Sequence, residues 1–229
     1  MTVLRVSLAA LLGLALGACN SAPTAETPAG PAAAGASAAP AAATRAARRL
    51  LFFGNSLTAG YGVEPEEAFP ALVGAKIDSA GLKYEVVNAG LSGETTAGGL
   101  ARVGWVLRQP VAVFVLELGG NDGLRGLPLA ASRRNLQAII DTVRRRSPAA
   151  QIVLAGMQIP PNLGQAYAAE FQAMYGELAV RNRLAIIPFL LAGVGGDRKL
   201  NQPDGIHPTP AGHRVVARTV WAVLRPLLL

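Results

Sequence analysis

Five short apolar runs, at 50–53, 84–88, 111–118, 151–155 and 184–187, alternate with longer stretches of helical periodicity at 68–80, 97–109, 129–146 and 167–183. A last helix is predicted over 210–224. Alternation of this kind implies a parallel sheet, because parallel neighbours need a long crossover and a helix supplies it. Runs without polar alternation, such as Leu50-Leu51-Phe52-Phe53, belong to strands covered on both faces. The helix over 129–146 agrees: Leu136, Ile139, Ile140 and Val143 share one face, and Arg133, Arg134, Arg144, Arg145 and Arg146 lie largely elsewhere. The expected class is α/β, a three-layer α/β/α sandwich around a central five-stranded parallel sheet. One domain over 48–229 is long enough to bury a sizeable core.

The first run ends at Gly54, and Ser56 falls just beyond the strand's carboxyl end, where open α/β sheets collect ligands and reacting groups. Ser is also a favoured helix N-cap, so a capping role competes with a chemical one. A serine hydroxyl is a weak nucleophile until a base takes its proton. Only two histidines are available, His207 and His213. His207 sits in Asp204-Gly205-Ile206-His207-Pro208, where Pro208 drives it out of helical geometry. Asp204, three residues away in the same loop, can reach an imidazole N–H, fix the tautomer and stabilise the imidazolium. A plain loop histidine is the alternative for His207. His213 lies on the following helix and is assigned a structural or surface place.

Four blocks in order now resemble the SGNH (GDSL-type) hydrolases: Gly54-Asn55-Ser56-Leu57, Asn88-Ala89-Gly90-Leu91-Ser92-Gly93-Glu94-Thr95-Thr96, Gly119-Gly120-Asn121-Asp122, and Asp204-Gly205-Ile206-His207-Pro208. The similarity is greatest to the bacterial thioesterase I, arylesterase and lysophospholipase branch. It implies a flavodoxin-like sheet and a Ser56–His207–Asp204 triad. It also implies an oxyanion hole from the backbone N–H groups of Ser56 and Gly90 and the side-chain amide of Asn121, with no cofactor. Gly90 otherwise reads as a turn glycine and Asn121 as part of an Asn-Asp turn; Asp122 is assigned to holding that turn. Asn55 stands where the family block usually has Asp, which removes a negative charge beside Ser56 and bears on pH dependence. Ser92 is a competing nucleophile, but Gly90-Leu91-Ser92-Gly93 lacks the nucleophile-elbow spacing.

The amino terminus carries its own signals. Met1 to Arg5 precede an apolar run over 6–18, too short to span a bilayer, that ends in Leu16-Gly17-Ala18-Cys19. This resembles a bacterial lipobox, so 1–19 is expected to be a lipoprotein signal with Cys19 as the lipidated residue; an ordinary cleaved signal is the alternative. Cys19 is the only cysteine, which excludes an intrachain disulfide. Residues 20–47, rich in Ala and Pro, are expected to form a flexible linker. The expected location is extracytoplasmic, on a membrane through the lipid anchor and facing the periplasm.

Lys and Arg number 21 against 14 Asp and Glu, a formal charge of +7. The arginines are scattered, with no basic stripe interleaved with aromatics, so no nucleic-acid partner is expected; an anionic membrane surface suits the charge as well. Two histidines and one anchoring cysteine give no metal-ligand cluster, and Gly54 to Gly62 match no phosphate-binding loop. The expected partner is a small acyl ester or lipid substrate, and the protein is expected to be a monomer. Apolar residues in Met157–Leu163 and Gly123–Leu127 are candidates to line an acyl groove. Two other functions fit the same residues: an O-acetyl esterase of cell-wall or exopolysaccharide sugars, and a non-catalytic binding lipoprotein.

Overall fold

The computed structural model describes residues 48–229. The signal segment with Cys19 and the whole of the linker over 20–47 lie outside the described residues. Strands β1 (Arg48–Gly54), β2 (Tyr84–Gly90), β3 (Val113–Glu117), β4 (Gln151–Ala155) and β5 (Ala185–Ile187) form one sheet in the order β2-β1-β3-β4-β5. Every pairing is parallel. The two central strands are the most apolar: Leu50 to Phe53 and Val113 to Leu116 are buried on both faces, as their unbroken hydrophobicity requires.

Successive strand residues point to opposite faces, and β1 uses both. Phe52 meets the ring edge of Phe69 on helix α2 (Phe69–Ser79), centroids 5.5 Å apart. Phe53 faces the other way, onto Phe114 and the layer of α3 (Thr96–Val106). Helix α2 packs with α7 (Pro210–Leu228); α3, α5 (Leu129–Arg146) and α6 (Gln165–Asn182) pack in a row. Burying each such aromatic or leucine contributes about 1.5–3 kcal/mol, so the two covered faces are what hold the sheet together. The expected three-layer sandwich is the observed one.

Differences from expectation lie at element ends. β3 starts at Val113 rather than 111, because the Val111 N–H is taken by Ser147 Oγ, outside the ladder. α7 runs past 224 and through Pro226 to Leu228, because Leu224 and Leu228 both fall on its buried face. Two single-turn helices were not anticipated, α1 (Ser56–Ala59) and α4 (Gly120–Leu124), and both sit at the carboxyl end of the sheet. Among the described residues no helix is long and apolar enough to cross a membrane.

Candidate active site

β1 and β3 are neighbours, yet the chain leaves β1 for one edge of the sheet and β3 for the other. The crevice this opens above their carboxyl ends is the topological switch point of an open α/β sheet. Ser56 follows β1 directly, and Asn121 lies in α4 just after β3.

Asn55, not Ser56, caps α1: its Oδ1 accepts the Leu57 N–H at 2.9 Å. Ser56 is therefore the first helical residue, with its N–H free of partners among the described residues. Its Oγ lies 2.8 Å from His207 Nε2. His207 Nδ1 lies 2.6 Å from Asp204 Oδ2, while Asp204 Oδ1 accepts the N–H groups of Ile206 and His207 at 2.9 and 3.0 Å. Partial burial works to raise the Asp204 carboxyl, but the N–H groups of its own loop and the imidazole outweigh it and hold it at about 2. Asp204 is thus a carboxylate at any ordinary pH and can only accept from the imidazole. Ser92 lies in an exposed turn and has no imidazole partner among the described residues.

The His207 loop is fastened to the Ser56 side by contacts not foreseen from the sequence. Gln202 donates its side-chain amide to Tyr61 O at 2.7 Å and to Pro208 O at 3.0 Å. Its backbone N–H donates to His207 O at 2.7 Å. The Tyr61 ring leans on the imidazole, centroids 4.6 Å apart.

Glu117, the last residue of β3, is the other group that sequence reasoning missed. Its side chain is buried and takes three hydrogen bonds from the Ser56 turn: Asn55 N–H at 3.1 Å, Asn55 Nδ2 at 2.7 Å and Thr58 Oγ1 at 2.7 Å. Burial pushes its carboxyl up to about 7 against those three bonds, which favour the ionised form. The signal was in plain sight, a carboxylate closing an otherwise apolar strand.

One expected oxyanion donor is corrected by the geometry. The Gly90 N–H is already donated to Asn88 Oδ1 at 2.9 Å, and a Cβ at Gly90 would lie 2.2 Å from the Ala59 nitrogen. Position 90 needs glycine because α1 crosses close above it, not because substrate approaches. Three residues on, Gly93 sits at φ +79° with its N–H free of partners among the described residues. Arg125 Nη2 holds the Gly93 carbonyl, and Asn121 Nδ2 donates to the next one, Glu94 O, at 3.0 Å. The Asn121 amide keeps a second N–H for another acceptor. Asp122 has the holding role expected of it: it takes Thr96 N–H and Oγ1 and Ser132 Oγ, pinning α3 and α5 to α4. His213 is buried and structural, its Nδ1 accepting the Phe69 N–H at 3.2 Å.

A cleft of about 350 Å³ opens beside Ser56 and His207. Leu57, Leu124, Met157, Ile159, Phe189 and Leu191 supply its apolar walls, and among the described residues no Asp, Glu, Lys or Arg lines it.

A parallel α/β sheet with a hydroxyl, an imidazole and a carboxylate in series at its switch point has the architecture of a serine hydrolase. The family model described as the GDSL-like Lipase/Acylhydrolase family matches residues 52–215, and the chain belongs to that family, the SGNH or GDSL-type hydrolases. It is 41% identical to Esterase TesA of Pseudomonas aeruginosa over 184 residues, covering 80% of this chain and 90% of that one. It is 38% identical to thioesterase 1/protease 1/lysophospholipase L1 of Escherichia coli K12, covering 80% and 86%. A crystal structure of TesA superposes with a TM-score of 0.76 at 41% identity, covering 79% of this chain and all of that one.

Proposed function

We propose that this enzyme hydrolyses acyl esters and thioesters with Ser56 as nucleophile. The observation that carries the reading is the unbroken series from Ser56 Oγ through His207 to Asp204, at 2.8 and 2.6 Å, beside an uncharged apolar cleft. Ser56 Oγ attacks the acyl carbonyl as His207 Nε2 takes its proton. His207 then protonates the departing alcohol or thiol, and a water repeats the sequence to release the acid. Asp204, ionised throughout, keeps Nδ1 protonated and Nε2 free to act as base. The N–H groups of Ser56 and Gly93 and the second N–H of Asn121 serve the developing oxyanion; each such donor contributes about 100- to 1000-fold.

Apolar walls without a fixed charge suit an acyl chain, and one methylene more or less is worth only about 1–3 kcal/mol in such a groove. Chain-length preference is accordingly broad. The lipobox-like segment at Cys19 supports display of the enzyme on a membrane, with the linker as tether.

The test is labelling of full-length protein in cells with a fluorophosphonate, followed by fractionation. Wild type is expected to be modified at Ser56 and to sediment with membranes; Ser56→Ala stays unlabelled, and Cys19→Ser moves to the soluble fraction. Equal labelling of wild type and Ser56→Ala would overturn the nucleophile, and an unmoved Cys19→Ser would overturn the anchor.

A further inference from the structure

Asn55 and Glu117 form a buried pair directly beneath the nucleophile that the hydrolytic cycle does not use. Asn55 Nδ2 gives its proton to Glu117 Oε1, and the Asn55 N–H and Thr58 hydroxyl both give theirs to Oε2. The same Asn55 side chain, through Oδ1, caps the turn on which Ser56 stands. Gly54 leaves room for the Thr58–Glu117 pair: a Cβ there would lie 2.2 Å from Thr58 Oγ1 and 2.3 Å from Glu117 Oε2. Three features of the turn, at 54, 55 and 58, are therefore shaped around one carboxylate.

We propose that Glu117 is a positioning residue for the nucleophile, and that Asn55 is the partner that lets it hold the turn as a bare carboxylate. The inference rests on Ser56 being the nucleophile. A proton on Oε1 sets a donor against the Asn55 amide, and a proton on Oε2 is accommodated only by turning the Thr58 hydroxyl from donor to acceptor. Asn55 cannot relieve this by turning over, since its Oδ1 is committed to Leu57. An aspartate at this position, the residue usual in the family block, would have to carry a proton to make the bond Asn55 makes at every pH. Two carboxylates at that spacing share one proton and repel when it leaves.

Among the described residues the surroundings supply no rival counter-charge. Tyr175 on α6 has its phenol raised well above its usual range by burial, and it donates to Leu118 O. Asp122 on α4 is held by Thr96 and Ser132. Arg102 on α3 is committed to Glu94 and Ala89 O, reaching only the Gly54 carbonyl at 3.4 Å. The donors of the turn are what favour the ionised form of Glu117, against burial that raises its carboxyl to about 7.

Near-isosteric exchanges test this without opening a cavity. Asn55→Asp is expected to keep activity at acid pH and to gain an alkaline limb that wild type lacks. Glu117→Gln sets its amide against that of Asn55 and is expected to lower kcat about tenfold or more, with KM little changed. In Asn55→Asp/Glu117→Gln the donor and acceptor are exchanged: the introduced amide gives a proton to the introduced carboxylate, and its carbonyl oxygen still accepts from the backbone and Thr58. The double variant is expected to recover most of the lost kcat and to lose the alkaline limb. Superimposable pH profiles for wild type and Asn55→Asp would overturn the proposal, as would a double variant no better than Glu117→Gln. If Glu117→Gln does not fold, the Asn55→Asp profile decides alone. Ser56→Ala run alongside separates the two levels: retained hydrolysis there refutes the nucleophile itself, whereas unaffected pair variants with a dead Ser56→Ala refute only the positioning.

Discussion

Tyr61 lays its ring against the imidazole of His207, the centroids 4.6 Å apart and the planes inclined at 43°. The contact joins the loop after α1 to the loop that carries the base, and Gln202 joins the same loops again through the Tyr61 and Pro208 carbonyls. Tyr61 is otherwise half exposed, at 53% of its surface. A ring of that size left in water makes sense if its buried side has a task. In the proposed mechanism that task is to bound the swing of the imidazole that points Nε2 at Ser56.

Tyr61→Ala should therefore cost rate more than stability. An aromatic pair is worth about 0.5–1.5 kcal/mol beyond burial, which corresponds to roughly a two- to tenfold loss of kcat if it is needed in the transition state. Tyr61→Phe keeps the ring and should remain close to wild type. Steady-state kinetics on a chromogenic acyl ester check this; a Phe variant as slow as the Ala variant would show that the hydroxyl, not the ring, matters.

Asn121 carries two duties with one amide. One N–H fixes Glu94 O at 3.0 Å, and in the proposed mechanism the other serves the oxyanion. Asn121→Ala should lower kcat about 100- to 1000-fold while KM changes little, because the oxyanion exists only beyond the ground state. Asn121→Asp keeps the shape but offers negative charge to a developing anion, and it should be at least as slow. A large rise in KM with kcat preserved would place Asn121 in ground-state binding instead.

The contrast between Gly90 and Gly93 shows where sequence reading stops. The five strands were legible because runs buried on both faces have no polar alternation to disguise them. Ser56, Asp204 and His207 were legible because strand end, Pro208 and spacing each restrict the backbone. The two glycines of the second block differ only in where their N–H groups point, and the Asn88 side chain decides that by taking one of them. Glu117 stood out as a carboxylate in an apolar strand, but its partners were hidden for a related reason: they are a backbone N–H, a neighbouring amide and a hydroxyl on another strand's turn, and no spacing rule links position 117 to 55 and 58.

The last consequence concerns stability. His213 lies buried in α7, accepting the Phe69 N–H through Nδ1, and its ring stacks on Phe69 at 6.3 Å. Burial lowers its pKa from 6.5 to about 4, with the positive potential of His207 adding to the effect. Between those values the unfolded chain binds a proton that the folded chain refuses, so stability rises with pH across the window and falls as pH drops from 6.5 towards 4. At about 1.4 kcal/mol per pH unit the loss approaches ~3 kcal/mol at its limit. His213→Asn, whose Oδ1 can accept the Phe69 N–H in place of Nδ1, should unfold in urea with a midpoint that varies less over this range than wild type. It should also retain most of the hydrolytic rate, because His213 does not line the cleft. Equal pH dependence in the two proteins would assign the acid sensitivity to another group, and lost hydrolysis in a folded variant would mean that α7 reaches the chemistry after all.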